Sequence, residues 1–146
     1  MEPSSPMQAL NDYNILGIDY GSKRVGIALA HAVAKLPHPF TILPNDETLA
    51  DSLKQLIVDQ NVKHIVLGLP VPLESAESYQ TKEVRLFGGK IESELSLPVS
   101  YVNESLSSVM VERRASGGAA QYVDDLAASE ILERFFAGET ETKGIA

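Results

Sequence analysis

The stretch Ile15-Leu16-Gly17-Ile18-Asp19-Tyr20-Gly21-Ser22-Lys23-Arg24-Val25-Gly26-Ile27-Ala28-Leu29-Ala30 decides the fold. Ile15 to Ile18 is a short apolar run that ends at Asp19, and Val25 to Ala30 is a second one. Between them, Tyr20 to Arg24 carries a glycine and two cations, so the segment reads as a β-hairpin. The first strand is apolar on both faces, which places it in the middle of a sheet.

Working outward, a third strand is expected over Phe40–Leu43, bracketed by Pro37, Pro39 and Pro44. Proline brings no N–H to a ladder, so this strand belongs at an edge. Asn45 or Asp46 is the expected cap of a helix with apolar residues at Leu49, Leu53, Leu56 and Ile57. His64–Leu69 reads as a buried strand stopped by Pro70 and Pro72, and Glu77–Leu95 as a helix interrupted by Gly88 and Gly89. Val99–Val102 is the fifth strand, and a helix over Ser107–Ala115 ends at Gly117–Gly118. The last helix opens near Val123–Asp124 and buries Ala128, Ile131, Leu132, Phe135 and Phe136. That order predicts an α/β fold: one five-stranded mixed sheet flanked by helices on both faces, the arrangement of ribonuclease H-like domains.

Composition narrows the function. The chain has 146 residues, enough for one domain and too few for a two-lobed actin-like kinase. A single domain is expected over 15–137, between flexible tails at 1–14 and 138–146. Twelve Lys and Arg against twenty Asp and Glu give a net charge of −8, which excludes a generally basic nucleic-acid or membrane coat. Any nucleic-acid contact must then gather the few cations at one place. There is no cysteine, so disulfides, thiolate nucleophiles and Cys-based zinc or iron–sulfur sites are excluded. No apolar run is long enough to span a membrane and the N-terminus lacks a signal-peptide pattern, so a cytoplasmic location is expected. His31, His38 and His64 share no ligand spacing, and none is given a catalytic role.

The acidic residues fall at element ends. Asp19 closes the first strand, Glu104 follows the fifth, and Asp124 and Asp125 lie in the first turn of the last helix. Each has an ordinary reading alone: a turn-starting Asp, a loop acid, a helix N-cap. Together they converge, because the topology brings these three ends to one rim. Carboxylates that meet repel one another unless a cation lies between them. An oxygen-only set selects a hard ion, Mg²⁺ or Mn²⁺, and such ions in pairs serve phosphodiester hydrolysis.

The segment Ile18-Asp19-Tyr20-Gly21-Ser22-Lys23-Arg24-Val25-Gly26-Ile27-Ala28 closely resembles the opening motif of the YqgF/RuvX family of pre-16S rRNA nucleases. Gly68-Leu69-Pro70 resembles that family's second motif and Val123-Asp124-Asp125-Leu126-Ala127-Ala128 its last. The three in this order extend the resemblance over about Ile15 to Phe136. It implies that Asp19, Glu104 and Asp124 are catalytic and bind the metal, with Asp125 an exposed neighbour. Lys23 and Arg24, in the turn beside Asp19, are expected to hold the nucleic-acid backbone; alternation turns one of them toward the site, and Lys23 is the choice that matches the family. Arg113 and Arg114, with Lys82, Arg85 and Lys90, are further candidates for a nucleic-acid-binding patch.

The implied activity is metal-dependent trimming of the 5′ end of precursor 16S rRNA, by a monomer or weak homodimer. A junction-resolving DNA endonuclease is the alternative within enzymes. The family usually carries Asp-Glu-Arg where this chain has Asn103-Glu104-Ser105, and the loss of the Arg removes a phosphate or carboxylate contact. That departure leaves a third reading, a catalytically weak nucleic-acid-binding module.

Overall fold

The computed structural model describes residues 12–70, 79–103 and 120–140, without the side chains of 79–80 and 120–125. Strands β1 (Asn14–Tyr20), β2 (Arg24–His31), β3 (His38–Pro44), β4 (Val62–Leu69) and β5 (Val99–Asn103) form one sheet in the order β3-β2-β1-β4-β5. β1 is therefore central and the proline-bearing β3 is an edge, as expected. β1 pairs antiparallel with β2 and parallel with β4, and β4 pairs parallel with β5, so the sheet is mixed.

Three helices are described: α1 (Leu49–Asp59), α2 (Tyr79–Leu95) and α3 (Ala120–Phe136). Strand alternation divides the core between the two faces of the sheet. Leu16 and Ile18 of β1 pack with Leu53 of α1 and Val84 and Ile91 of α2 on one face. Ile15 packs with Ala128, Ile131 and Leu132 of α3 on the other. The expected helix over Ser107–Ala115 lies outside the described residues. At the two ends of the described chain, Tyr13 O accepts from Ala32 N, and Thr140 bridges Val102. No helix among the described residues is long and apolar enough to cross a membrane.

Two local expectations change. α1 begins at Leu49 rather than directly after Asn45 or Asp46, because the Asp46 carboxylate accepts from the Thr48 N–H (2.8 Å) and the Asp46 carbonyl from the Leu49 N–H (3.1 Å). Gly88 and Gly89 do not break α2. A Cβ on Gly88 would strike the Tyr101 hydroxyl and come within 2.9 Å of Leu67 Cδ1, so this glycine lets α2 lie close on the sheet. A Cβ on Gly89 would meet nothing within 4 Å. Gly88→Ala is therefore expected to destabilise by about 1–3 kcal/mol through overpacking. Gly89→Ala should stabilise by up to about 1 kcal/mol through helix propensity. Urea unfolding of the two variants checks the opposite signs.

His64 has a structural place. It lies half-buried at the start of β4, its Nε2 2.8 Å from Ser100 Oγ and its ring edge-on to Phe135 at 5.3 Å. Burial lowers its pKa below the ordinary 6.5. The unfolded chain then takes up a proton first as pH falls, so stability is full above about 6.5 and declines below it. Urea midpoints between pH 8 and 5 should show this decline, and His64→Gln should flatten it.

Candidate active site

Parallel pairing of β1, β4 and β5 puts their C-terminal ends on one rim of the sheet. Asp19 stands there on the central strand, opposite Gly26 of β2, so no neighbouring Cβ crowds it from that side. It shares its parity along β1 with Ile15 and Gly17, both of which lie on the α3 side of the sheet. Its relative exposure is 8%, and among the described residues no other ionisable side chain is buried. An ionised carboxylate is placed in such a position only with compensating partners, and a bound cation is one of these.

The direction of α3 follows from its contacts. Phe135 meets His64, the register partner of Ile15, whereas Ala128 and Leu132 lie against Gly17. Ascending β1 therefore means descending α3 in number, so the N-terminal end of the helix points toward the rim that carries Asp19. The Asp124 and Asp125 side chains lie outside the description.

Glu104 lies outside the described residues. It directly follows Asn103, the exposed last residue of β5 and the register partner of Leu69. Arg113 and Arg114 are likewise outside them. Among the described residues no three His, Asp or Glu side chains form a metal-sized cluster. Of the three expected ligands, only Asp19 has a described side chain. Its oxygen-only chemistry and near-complete burial fit a hard divalent ion.

The turn after Asp19 is held from three sides. Tyr20 stacks on Phe87 of α2, with ring centroids 4.2 Å apart and planes 28° from parallel. The Gly21 N–H donates to the Arg24 carbonyl at 3.0 Å, and a Cβ on Gly21 would lie 2.5 Å from that oxygen. Asn45, just past β3, donates its side-chain amide to the Gly21 carbonyl (2.7 Å) and its backbone N–H to the Lys23 carbonyl (2.9 Å). Lys23 and Arg24 are both exposed on this turn. Lys23 was the expected cation on the site's side, but Arg24 has the parity of Gly26, the residue opposite Asp19, so the register puts Arg24 rather than Lys23 on the face that Asp19 shares.

Other candidates are dispersed. Lys82 and Lys90 are exposed on α2. Arg85 lies over the Tyr101 ring at 5.6 Å and lines a groove of about 640 Å³ along the outer edge of β5, with Glu92, Ser100 and Thr140. Tyr101 packs on the α1 and α2 face, so Arg85 stands on the side of the sheet opposite to Asp19. Two residues near the rim escaped the sequence reading. Thr81, fully buried, donates its hydroxyl to the Pro70 carbonyl (2.6 Å) and ties the first turn of α2 to the end of β4. Asn45 was expected only as a helix cap. An available signal was that Asn45 directly follows Pro44, which contributes no N–H to the ladder.

With this geometry established, residues 13–138 match the profile of a family described as "RuvX: Holliday junction resolvase". The chain belongs to the RuvX family. Among RuvX relatives, a protein of Burkholderia thailandensis named "Putative pre-16S rRNA nuclease" is 34% identical over 131 residues, covering 87% of this chain and 90% of that protein. A protein of the same name from Cupriavidus pinatubonensis is 36% identical over 128 residues, covering 86% and 89%. Among solved structures, Thermus thermophilus RuvC in complex with a Holliday junction substrate superposes with a TM-score of 0.54 at 11% identity. That superposition covers 88% of this RuvX chain and 98% of RuvC. The likeness to RuvC is one of fold, and the fold is ribonuclease H-like.

Proposed function

We propose that this RuvX-family protein is a metal-dependent nuclease that hydrolyses phosphodiester bonds and trims the 5′ end of precursor 16S rRNA in the cytoplasm. The observation that carries the reading is Asp19: a nearly buried carboxylate ending the central strand on its α3 face. The names of its relatives support the substrate class.

Asp19, Glu104 and Asp124 would hold Mg²⁺ or Mn²⁺. A bound ion would lower the pKa of an attacking water and stabilise the charge on the leaving oxygen. The protein's own residues do the rest. The three carboxylates set the ligand geometry, and their negative charge keeps a phosphodiester out unless it is neutralised. Arg24 and Lys23 supply that neutralisation on the backbone of the substrate. Arg113 and Arg114 would add to the basic contact. With a net charge of −8, this local clustering lets an acidic protein take an acidic substrate. The protein acts as a monomer or weak homodimer.

Junction resolution is the second reading, favoured by the family's own description. Cleavage of an end-labelled RNA with a 5′ precursor extension, run beside a four-way DNA junction with Mg²⁺, Mn²⁺ or EDTA, separates the readings. Metal-dependent cutting of the RNA is expected. Cutting of the junction alone would give the resolvase, and binding of both without cutting would give the catalytically weak module, with Asn103-Glu104-Ser105 as its cause.

A further inference from the structure

We propose that Asn45 is a positioning residue that pre-orders the cationic turn after Asp19 and so sets how tightly the nucleic-acid backbone is held. The inference rests on the nucleic-acid-binding role given above to Lys23 and Arg24.

Two carbonyls of this turn, those of Gly21 and Lys23, accept from Asn45. Of the two donors only the side-chain amide depends on residue type, since the backbone N–H survives any change except to proline. That amide is not engaged in capping α1: the Asp46 carboxylate accepts from Thr48, ahead of the helix, while Asn45 reaches across to Gly21. Its contact is long-range, 24 residues back along the chain, and lies beside two exposed cations rather than in the core.

A cation on a loose turn loses conformational freedom when it meets a phosphate, and that loss subtracts from affinity. A turn already closed by Gly21 N–H to Arg24 and fastened at two carbonyls has lost that freedom beforehand. Asp19 itself is held differently, within the antiparallel ladder opposite Gly26 on the central strand. Loss of the Asn45 amide should therefore weaken nucleic-acid binding while leaving the metal ligands in place.

The test is a double-mutant cycle read by fluorescence anisotropy, with a labelled single-stranded RNA carrying the 5′ extension, in EDTA and at low salt so that nothing is cut. Asn45→Ala is expected to raise Kd by roughly two- to tenfold, the range of one net hydrogen bond. It should have no effect in a Lys23→Gln/Arg24→Gln background, because its action passes through those cations. In the cleavage assay it should raise KM and leave kcat and the Mg²⁺ midpoint within about twofold. Asn45→Ser, with a shorter donor, replaces the Ala variant if that one fails to fold.

An unchanged Kd, or an equal loss with and without the two cations, overturns the inference while the nuclease reading stands on cleavage by the unaltered chain. Coupling without any cutting overturns the nuclease reading and leaves the inference intact. Failure of the unaltered chain to bind RNA overturns the inference, and failure to cut it with Mg²⁺ or Mn²⁺ as well overturns both.

Discussion

Asp19→Asn is expected to reduce metal-dependent cleavage by more than about 100-fold, since even residues that only orient metal ligands cost 10–100-fold when altered. The change conserves volume and removes one negative oxygen from a position that is 8% exposed. The fold should survive it, because β1 is held by ladders on both sides and by core residues Leu16 and Ile18. Circular dichroism and urea unfolding should therefore match the unaltered chain while turnover is lost. An unfolded Asn variant would make Asp19 a structural residue instead.

The second large effect lies beneath the site. A Cβ on Gly17 would lie 2.7 Å from Leu132 Cγ and 2.9 Å from the Ala128 carbonyl oxygen. A leucine side chain can turn aside, but a helix carbonyl cannot, so Gly17→Ala must push α3 away from β1. Overpacking of this kind costs about 1–3 kcal/mol. The same displacement moves the N-terminal end of α3 relative to Asp19, and a shift of about 1 Å in a catalytic constellation costs on the order of 100-fold in rate. Gly17→Ala should thus lose both stability and turnover, measured by urea unfolding and by cleavage at saturating Mn²⁺. Gly88→Ala is the useful control. Its Cβ would meet only side-chain atoms, those of Tyr101 and Leu67 on the opposite face of the sheet, so it should lose stability with a much smaller loss of turnover.

The central position of β1 and the edge position of β3 were legible because each rests on a property of the strand itself. An apolar run without a polar face has to be covered on both sides, and a strand with Pro39 and Pro44 cannot be paired along both edges. The placement of Asp19 was legible for the same reason, as a charge at the point where an apolar strand stops. Asn45 was misread because an Asn ahead of a helix satisfies a local rule for capping, whereas its partner is a carbonyl 24 residues earlier. Gly88 was ambiguous for a similar reason: the side chain that would collide with it, Tyr101, belongs to a strand that packs there only in the folded chain. Thr81 could not be read at all, since its value lies in one bond to the Pro70 carbonyl across the rim. Local pattern thus reveals what a segment must bury, and long-range hydrogen bonds decide how the rim is fastened.

The convergence of Asp19, Glu104 and Asp124 on one divalent ion is the central claim, and Mn²⁺ binding followed by electron paramagnetic resonance tests it without reliance on any substrate. The unaltered chain should take up Mn²⁺ in competition with Mg²⁺. Asp19→Asn, Glu104→Gln and Asp124→Asn should each weaken that uptake by at least about tenfold, as loss of a ligand must exceed the lower cost of losing its supporting contacts. Equal Mn²⁺ binding by all four proteins, or none by the unaltered chain, would contradict the account.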